Sequence, residues 1–332
     1  MIIAQNLSIG YRDNRKDSNV YTDLNFSLKE GGLTTLLGAN GAGKSTLMKT
    51  LCGVIEPLSG KVLIGGREIS SFSKAELSCR VAVVLTERVP DGGLTVFEVV
   101  SMGRYPYTGF FGGLTAYDRE VVEEAMSVIG IDSMRNKPMA HLSDGERQKV
   151  MIAKSISQES DIIILDEPTA FLDVRSKIEI VMLLRNLALE KGKTFLMSSH
   201  DIELALQYSD NLWVMNSNGR GMECGSTESV ILSKGLEPLV GGSSHFSFDY
   251  QNGTFRATNN GEKRVFVKGS DVHWVKNALE RVGYTIDGPC CNFVVDVEDY
   301  QHIKICDSTF GSIDDMLQFL IKDRALSCPT QR

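Results

Sequence analysis

The sequence of 332 residues predicts an α/β protein. We expect a mixed sheet core with an antiparallel β subdomain and a helical subdomain, followed by a small α+β domain. A glycine-rich loop, Leu36–Leu47, stands between a short apolar run and a helical pattern. A later apolar run at 161–165 is followed by two acids, as fits a parallel strand buried on both faces, and residues 194–200 are expected to be a further strand that ends in His200. The stretch 241–244, rich in glycine and serine, predicts a linker before the last part of the chain.

The glycine-rich loop has the spacing G-x-x-x-x-G-K-S between a strand and a helix, which predicts a phosphate-binding loop (P-loop). Glycines let backbone N–H groups close on a polyphosphate, and the helix N-terminus adds positive dipole. Lys44 is predicted to reach the β- and γ-phosphates, and the Ser45 hydroxyl to ligate Mg²⁺. A mere glycine-rich turn with an exposed lysine is disfavoured, because further motifs follow in order. The predicted nucleotide-binding residues here are Gly38, Asn40, Gly41, Gly43, Lys44, Ser45 and Thr46.

Composition and charge limit the functional classes. The chain is 42% hydrophobic and 23% charged, as is ordinary for a soluble globular protein, and its net charge of −7 argues against a nucleic-acid binder. No apolar run approaches the roughly 20 residues that span a bilayer, and polar residues from Asn6 onward argue against a signal peptide. Seven scattered cysteines are expected to be reduced thiols, and the vicinal pair Cys290–Cys291 to be structural.

Two polar strand ends carry the predicted chemistry. The apolar run 161–165 is followed by Asp166 and Glu167, and ligands of parallel sheets bind at the carboxyl ends of strands. Asp166 is therefore predicted to hold Mg²⁺ through water, and Glu167 to polarise an attacking water. His200 follows the next strand along the chain and is a candidate γ-phosphate contact. The competing interpretations are that the paired acids merely start a turn and that the histidine is purely structural.

The remaining segments show less specific patterns. Residues 1–30 alternate as two antiparallel strands, and Tyr11, which ends the first, is either an adenine-stacking aromatic or an ordinary strand-end tyrosine. Between predicted helices 96–102 and 116–129, the aromatic loop 103–113 is either a partner surface or folded on its own domain. Ser143 and Glu146 form a predicted capping box that opens a helix, whose N-terminus suits an anion.

Residues 245–332 predict a small α+β domain of unknown role, with no catalytic constellation. The order is strand, helix, strand, strand, helix. The predicted elements lie at 264–267, 272–282, 293–297, 303–306 and 313–321.

These motifs, in this order, resemble the ATP-binding cassette (ABC) ATPases over residues 1–240, with a helical subdomain at about 87–160. The resemblance implies a P-loop NTPase cassette of the ABC type. Leu142–Gln148 is similar to the family's signature motif and Ala170–Asp173 to its D-loop, while His200 resembles the switch histidine. The resemblance to the family further implies that Tyr11 stacks on the adenine ring and that Ser143, Gly145 and Asp173 contact the nucleotide.

Within the family, Gly103–Tyr107 followed by Ala116–Arg119 is most similar to the ATPases of ferric-siderophore, haem and cobalamin importers. This implies an ATPase, dependent on ATP and Mg²⁺, at the cytoplasmic face of the cell's inner membrane. Two copies would pair head to tail and drive permease subunits that serve, indirectly, a substrate-binding protein. The alternative is a soluble ABC-type ATPase in cofactor assembly or DNA maintenance, although the long heptad runs of DNA-maintenance relatives are missing from the sequence.

The sequence departs from the family pattern at two places. Thr86 followed by Glu87 stands where the family usually has a glutamine that senses the metal and the membrane partner. Asp144 replaces the first glycine of the usual Ser-Gly-Gly in the signature. The role of the glutamine is therefore not carried over to Thr86 or Glu87, either of which is a candidate substitute, and the change at Asp144 is the milder of the two.

Overall fold

The computed structural model describes residues 1–12, 18–85, 93–109, 112–216, 219, 221–240, 246–250, 253–257, 263–270, 272–289, 291 and 293–322. Thr86, Glu87, Cys290 and the predicted linker at 241–244 lie outside these ranges. None of the described helices combines the length and the apolar character needed to cross a bilayer. The chain divides into two compact units, Met1–Gly242 with Phe248–Thr254, and Ser243–Ser247 with Phe255–Arg332.

The first unit contains two sheets, and its strands alternate with helices along the chain. The strands are β1 Ile2–Tyr11, β2 Ser18–Leu28, β3 Gly32–Leu37, β4 Ser59–Ile64, β5 Arg67–Glu68, β6 Val81–Val84, β7 Ile162–Leu165, β8 Thr194–Ser198, β9 Asn211–Met215 and β10 Met222–Ser226. The helices are α1 Lys44–Leu51, α2 Lys74–Ser78, α3 Val96–Ser101, α4 Ala116–Ile129, α5 Asp144–Ser157, α6 Val174–Lys191, α7 Ile202–Tyr208, α8 Thr227–Leu232 and α9 Glu237–Val240. Short 3-10 turns lie at Ile69–Ser71, Met102–Arg104, Asp132–Met134 and Met139–His141.

The larger sheet has six strands in the order β10-β9-β3-β8-β7-β6. β3 pairs in parallel with β8 and β9, and β7 pairs in parallel with β6 and β8, whereas β10 is antiparallel to β9. All residues of β7 and β8 are buried, which is why β7 appears in the sequence as an unbroken apolar run and β8 as three apolar residues between Thr194 and Ser198. The carboxyl ends of β3, β8 and β7 therefore meet at one edge of the sheet, the usual position of a ligand site.

The smaller sheet, β2-β1-β4-β5, is antiparallel. Its apolar side chains, such as Ile2 and Leu24, share a core with Leu47 and Leu51 of α1. The helices α3, α4 and α5 share a second core with the apolar face of α6. This arrangement confirms the predicted mixed sheet, antiparallel β subdomain and helical subdomain.

Helix starts follow local capping chemistry. Ser73, Thr95, Thr115 and Ser143 each close a capping box with the third residue of the helix they begin. The amphipathic pattern of the sequence predicts a helix at Ile178–Glu190, and its predicted start is wrong, because the Asp173 side chain caps α6 and Val174 is its first residue. In the first turn of α6, Val174 is exposed and the next three residues are polar, so the apolar period from which the start was predicted begins later.

The second unit is built around one five-stranded sheet in the order β14-β13-β15-β16-β17, with two helices. Its apolar side chains, including Val265, Leu279 and Met316, form a core of their own. The predicted order lacks β14 and β17, because three-residue strands are too short to show a period. From residue 246 onward the elements are β11 Phe246–Asp249, β12 Thr254–Ala257, β13 Lys263–Gly269, α10 Val272–Arg281, β14 Tyr284–Ile286, β15 Val294–Asp299, β16 His302–Ile305, β17 Ser308–Phe310 and α11 Ile313–Lys322.

Candidate functional site

The glycine-rich loop connects the end of β3 to the start of α1. Gly41 and Gly43 have φ of +77° and +100°, in the left-handed region that glycine adopts without strain. A Cβ at Gly43 would come within 2.7 Å of Cγ1 of Val20, so a side chain does not fit there. Gly38 is buried, whereas Asn40 and Ser45 are exposed. The loop thus has the backbone of a phosphate cradle, with Asn40 and Ser45 at the surface and the side chains of Lys44 and Thr46 buried.

Lys44 lies folded over the loop. Its Nζ donates to the carbonyl oxygens of Gly38, at 2.9 Å, and Ala39, at 3.3 Å. Burial lowers the pKa of Lys44, and the negative charges of Glu167 and Asp166 oppose that effect. The ammonium group is thus held at the P-loop within electrostatic reach of the two predicted acids.

Tyr11 lies beside the first turn of α1. Its hydroxyl is 3.2 Å from Oγ1 of Thr46, and the side chain is 51% exposed. The end of β1 therefore places an exposed aromatic ring next to the P-loop, which is compatible with stacking on a nucleotide base.

The structure brings Asp166, Glu167 and His200 together at the ends of β7 and β8. Leu165 is paired with Met197 in the parallel ladder, so the residues after each strand emerge side by side. Oε1 of Glu167 lies 2.6 Å from Nε2 of His200. The ring nitrogen and the carboxylate oxygen are therefore in direct hydrogen-bond contact, on a partly exposed edge of the sheet.

Sequence reasoning missed Ser198, the last residue of β8. Its Oγ donates to Oδ1 of Asp166 at 2.7 Å and accepts from the backbone N–H of Glu167 at 2.8 Å. The only signal in the sequence is a serine at the end of an apolar strand, followed by a second serine, Ser199.

The signature-like turn lies against the first turn of α6, the helix that the D-loop-like turn begins. Ser143 accepts from the backbone N–H of Glu146 and caps α5, while Oδ1 of Asp173 accepts from the backbone N–H of Ser176 at 3.0 Å. A Cβ at Gly145 would lie 3.1 Å from Oγ of Ser176. The backbone N–H and hydroxyl of Ser176 hold the pKa of the Asp173 carboxyl below its usual value.

Ser143 and Gly145 form no hydrogen bond to the P-loop of the same chain anywhere in the described ranges. Within one copy, the signature-like turn therefore contacts α6 rather than the predicted phosphate site.

The donor chemistry of the site fits Mg²⁺. This ion prefers oxygen ligands and is usually held by one or two carboxylates together with substrate phosphates. The Ser45 hydroxyl at the start of α1 and the Asp166 carboxylate at the end of β7 are donors of this type. Among the described residues, no group of three or more His, Cys, Asp or Glu side chains gathers as an all-protein metal cage. The donor set thus suits an ion that arrives with a polyphosphate.

Arg104 anchors a surface formed by Tyr105, Tyr107 and Tyr117, called here the tyrosine surface. Its buried guanidinium donates to Oδ1 of Asp118 at 2.9 Å, to the carbonyl oxygen of Ser157 at 2.8 Å and to Oε2 of Glu159 at 2.7 Å. The guanidinium carbon lies 4.1 Å from the ring centroid of Tyr107, in a cation–π contact. The guanidinium carbon also lies 5.7 Å from the ring centroid of Tyr117, and Tyr105 and Tyr117 are exposed, so the buried cation contacts two of the three rings of this surface.

The sheet order, the P-loop and the acids at the neighbouring strand end define a nucleotide-binding cassette. The chain matches the family model "ABC transporter" over residues 21–170. It is 38% identical over 269 residues to an uncharacterised ABC transporter ATP-binding protein of Methanocaldococcus jannaschii, which covers 80% of this chain and 91% of that protein. The chain therefore belongs to the ABC transporter ATPases, which bind and hydrolyse ATP.

Two further comparisons agree with this family. The iron(3+)-hydroxamate import ATP-binding protein FhuC of Bacillus subtilis is 37% identical over 206 residues, which cover 62% of this chain and 75% of that protein. The solved structure of cbiO1 from Clostridium perfringens, described as part of the ABC transporter complex cbiONQ, is 31% identical. Its alignment has a TM-score of 0.62 and covers 72% of this chain and 93% of that one.

Proposed function

We propose that this chain is the ATP-hydrolysing subunit of an ABC importer that takes up an iron–siderophore complex, haem or cobalamin. The observation that carries the ATPase part is the contact between Glu167 and His200 at the strand ends beside the P-loop strand. The importer part is supported by the segment Gly103–Tyr107 and by a relative named for iron(3+)-hydroxamate import.

In this proposal, the P-loop binds the phosphates of ATP and Tyr11 stacks on the adenine ring. Lys44 leaves its contacts with Gly38 and Ala39 to neutralise charge on the β- and γ-phosphates. Ser45 directly, and Asp166 through water, would hold Mg²⁺, which neutralises phosphate charge during transfer. Asn40, Gly41, Gly43 and Thr46 complete the loop.

Glu167 is assigned as the group that orients the attacking water or accepts its proton, and His200 as the contact to the γ-phosphate. The geometry supports this assignment, since the two side chains already lie within hydrogen-bond distance of each other at the strand ends. Phosphoryl transfer to water depends on positioning and charge neutralisation more than on covalent chemistry. An acid and a histidine held at fixed strand ends supply that positioning.

Two copies pair head to tail, so that Ser143 and Gly145 of one copy face the nucleotide bound to the other. Support comes from the separation of these residues from the P-loop within one chain and from the exposed apolar side chains around Asp173. Phe171 and Val174 are 85% and 74% exposed, which is unusual for large apolar residues beside a polar turn. Asp173 would then link the two nucleotide sites.

The tyrosine surface is assigned to docking on permease subunits at the cytoplasmic face of the cell membrane, with a substrate-binding protein as an indirect partner and no nucleic acid. Exposed aromatic residues are enriched at protein interfaces, and here a buried cation holds them in place. Residues 1–240 form the ATPase domain in this proposal, and residues 245–332 an accessory α+β domain.

The test is to express the tagged chain in cells, solubilise the membranes in detergent and analyse the intact complex by mass spectrometry. We expect two copies of the chain, a polytopic permease and a bound metal chelate or corrin. The purified complex should hydrolyse ATP only with Mg²⁺. Recovery of the chain exclusively in a membrane-free complex would favour the assembly-factor alternative instead.

A further inference from the structure

Ser198 occupies the central position between the two strands that carry the ATPase chemistry. It is the last residue of β8, and its side chain is fully buried. On one side it is paired with Leu36 of β3, the strand that leads into the P-loop. On the other side lies β7, whose next residue is Asp166. A polar side chain here is buried between the nucleotide-binding loop and the acidic strand end.

The Ser198 hydroxyl is shared between Asp166 and Glu167. Because the backbone N–H of Glu167 can only donate, the hydroxyl accepts that bond at 2.8 Å. Its own proton is therefore left for Oδ1 of Asp166, which lies 2.7 Å away. One side-chain oxygen thus fixes the carboxylate of the first acid relative to the backbone of the second.

The backbone that Ser198 contacts is strained. Glu167 has φ of +49°, a left-handed conformation that is uncommon outside glycine, and it precedes Pro168, which further restricts its backbone. Such conformations persist only where the surroundings hold them. Here the Ser198 hydroxyl holds the N–H of Glu167, and the N–H of Ala170 donates to its carbonyl oxygen at 3.0 Å. The direction of the Glu167 side chain towards His200 depends on this backbone.

Ser199, the neighbouring serine, forms different hydrogen bonds. Oγ of Ser199 accepts from the backbone N–H of Asp201 at 3.0 Å, and its own backbone N–H donates to the carbonyl oxygen of Leu36. These bonds shape the turn into α7. The contact to both acids is therefore specific to Ser198.

We propose that Ser198 is a positioning residue of the ATPase site, which acts through Asp166 and Glu167. Its hydroxyl orients the carboxylate that would hold the metal and, at the same time, fixes the backbone that aims the water-activating acid. The inference rests on the proposed roles of these two acids. Outer partners of metal-binding carboxylates typically influence metal affinity or activity by about 10–100-fold.

The experiment compares Ser198→Thr with Ser198→Val in the full chain. The two replacements have almost the same volume, and only threonine keeps the hydroxyl, so any packing penalty is shared between them. Metal affinity is measured without turnover, by electron paramagnetic resonance of Mn²⁺ with a non-hydrolysable ATP analogue. Steady-state hydrolysis then gives kcat and the KM for ATP.

We expect Ser198→Val to lower Mn²⁺ affinity or kcat by about 10-fold or more, with a nearly unchanged KM. Ser198→Thr should keep most of the wild-type Mn²⁺ affinity and kcat. Nucleotide binding in excess EDTA should be the same in both variants, since the P-loop is not altered. Ser155→Ala is the matched control, because this buried hydroxyl bonds only to the carbonyl oxygen of Ile152 in its own helix among the contacts of the described residues.

Equal Mn²⁺ affinity and equal kcat in the threonine and valine variants, at whatever level, would overturn the inference. Ser198→Ala, which removes the hydroxyl without adding volume, gives an independent answer: wild-type affinity and turnover in this variant also overturn it. A wild-type chain that hydrolyses ATP without a divalent ion, or not at all, would instead contradict the proposed function. The two failures are thus distinguishable.

Discussion

Nε2 of His200 lies 2.6 Å from Oε1 of Glu167, although the two residues are separated by a whole helix in the chain. The contact arises because β7 and β8 are adjacent parallel strands that end at the same level. A carboxylate that accepts a hydrogen bond from an imidazole is held in one orientation. The attacking water would therefore meet an acid whose direction is already set.

The first prediction concerns Glu167. Glu167→Gln should keep ATP binding, because the P-loop is unchanged, and should lower turnover by about 10²–10⁴-fold, the usual loss for a general base. Hydrolysis is followed by phosphate release and binding by a fluorescent ATP analogue. Glu190→Gln, an exposed acid near the end of α6, is the control. Wild-type turnover in Glu167→Gln would remove Glu167 from this role.

The second prediction concerns the tyrosine surface. Tyr105→Asp and Tyr107→Asp should weaken recovery of the permease while the isolated chain keeps ATP binding, and Tyr105→Asp should also leave the melting temperature unchanged. Tyr105 gives the cleaner test, because Tyr107 also contacts Arg104, and Phe110, which the sequence includes in the same loop, lies outside the described residues. Tyr300→Asp, an equally exposed tyrosine of the second unit, is the control. Full complex recovery with both variants would exclude the surface from docking.

The third prediction is a pH dependence at Asp118. The hydroxyl and backbone N–H of Thr115, followed by Arg104, hold the pKa of Asp118 below its usual value. Its stabilisation is therefore present above the unfolded pKa of about 3.9 and is lost as pH falls through the lower folded pKa. Asp118→Asn should lower the free energy of unfolding by about 2 kcal/mol at pH 7, which is the usual contribution of a hydrogen bond to a charged group.

The measurement for Asp118 is urea unfolding of the full chain across a pH series. The difference in the free energy of unfolding between wild type and Asp118→Asn should decrease as the pH falls through the pKa of Asp118 in the folded state. Glu120→Gln, an exposed acid on the same helix, should show almost no difference at any pH. A difference in the free energy of unfolding between wild type and Asp118→Asn that stays constant between neutral and strongly acidic pH would contradict this role of Asp118.

The fourth prediction concerns the end of the cassette. Phe248 lies in the same apolar cluster as Leu212 and Val214 of β9. A fragment of residues 1–243 should therefore be less stable than a fragment of residues 1–254, by about 3 kcal/mol, the usual loss for deleting a buried phenylalanine. Both fragments should bind ATP, and Phe248→Ala in the full chain should reproduce the difference. Identical melting temperatures of the two fragments would show that residues 244–254 add nothing to the first unit.

The fold was predictable from the sequence where a pattern is long. α4 was predicted at 116–129 and begins and ends there, because its apolar period and its cap agree. The mostly polar first turn of α6 was mispredicted and the three-residue strands β14 and β17 were missed, because none of these segments carries such a period.

In the candidate site, too, some features could be predicted from the sequence and others could not. The acids and the histidine could be selected because apolar strands end at them. The partnership between Ser198 and both acids could not, since it depends on strand register and on the left-handed backbone of Glu167. Neither property can be read from the chain near Ser198.

The left-handed backbone of Glu167 also influences how this position can change by mutation. One nucleotide change in a glutamate codon leads to Lys, Gln, Asp, Ala, Gly or Val. Glycine would relax the backbone, and aspartate tolerates it, whereas the branched side chain of valine would resist it. Among the changes that remove the acid, glycine therefore strains the backbone least. A Glu167→Gly variant should lose turnover while the cassette stays folded and still binds nucleotide.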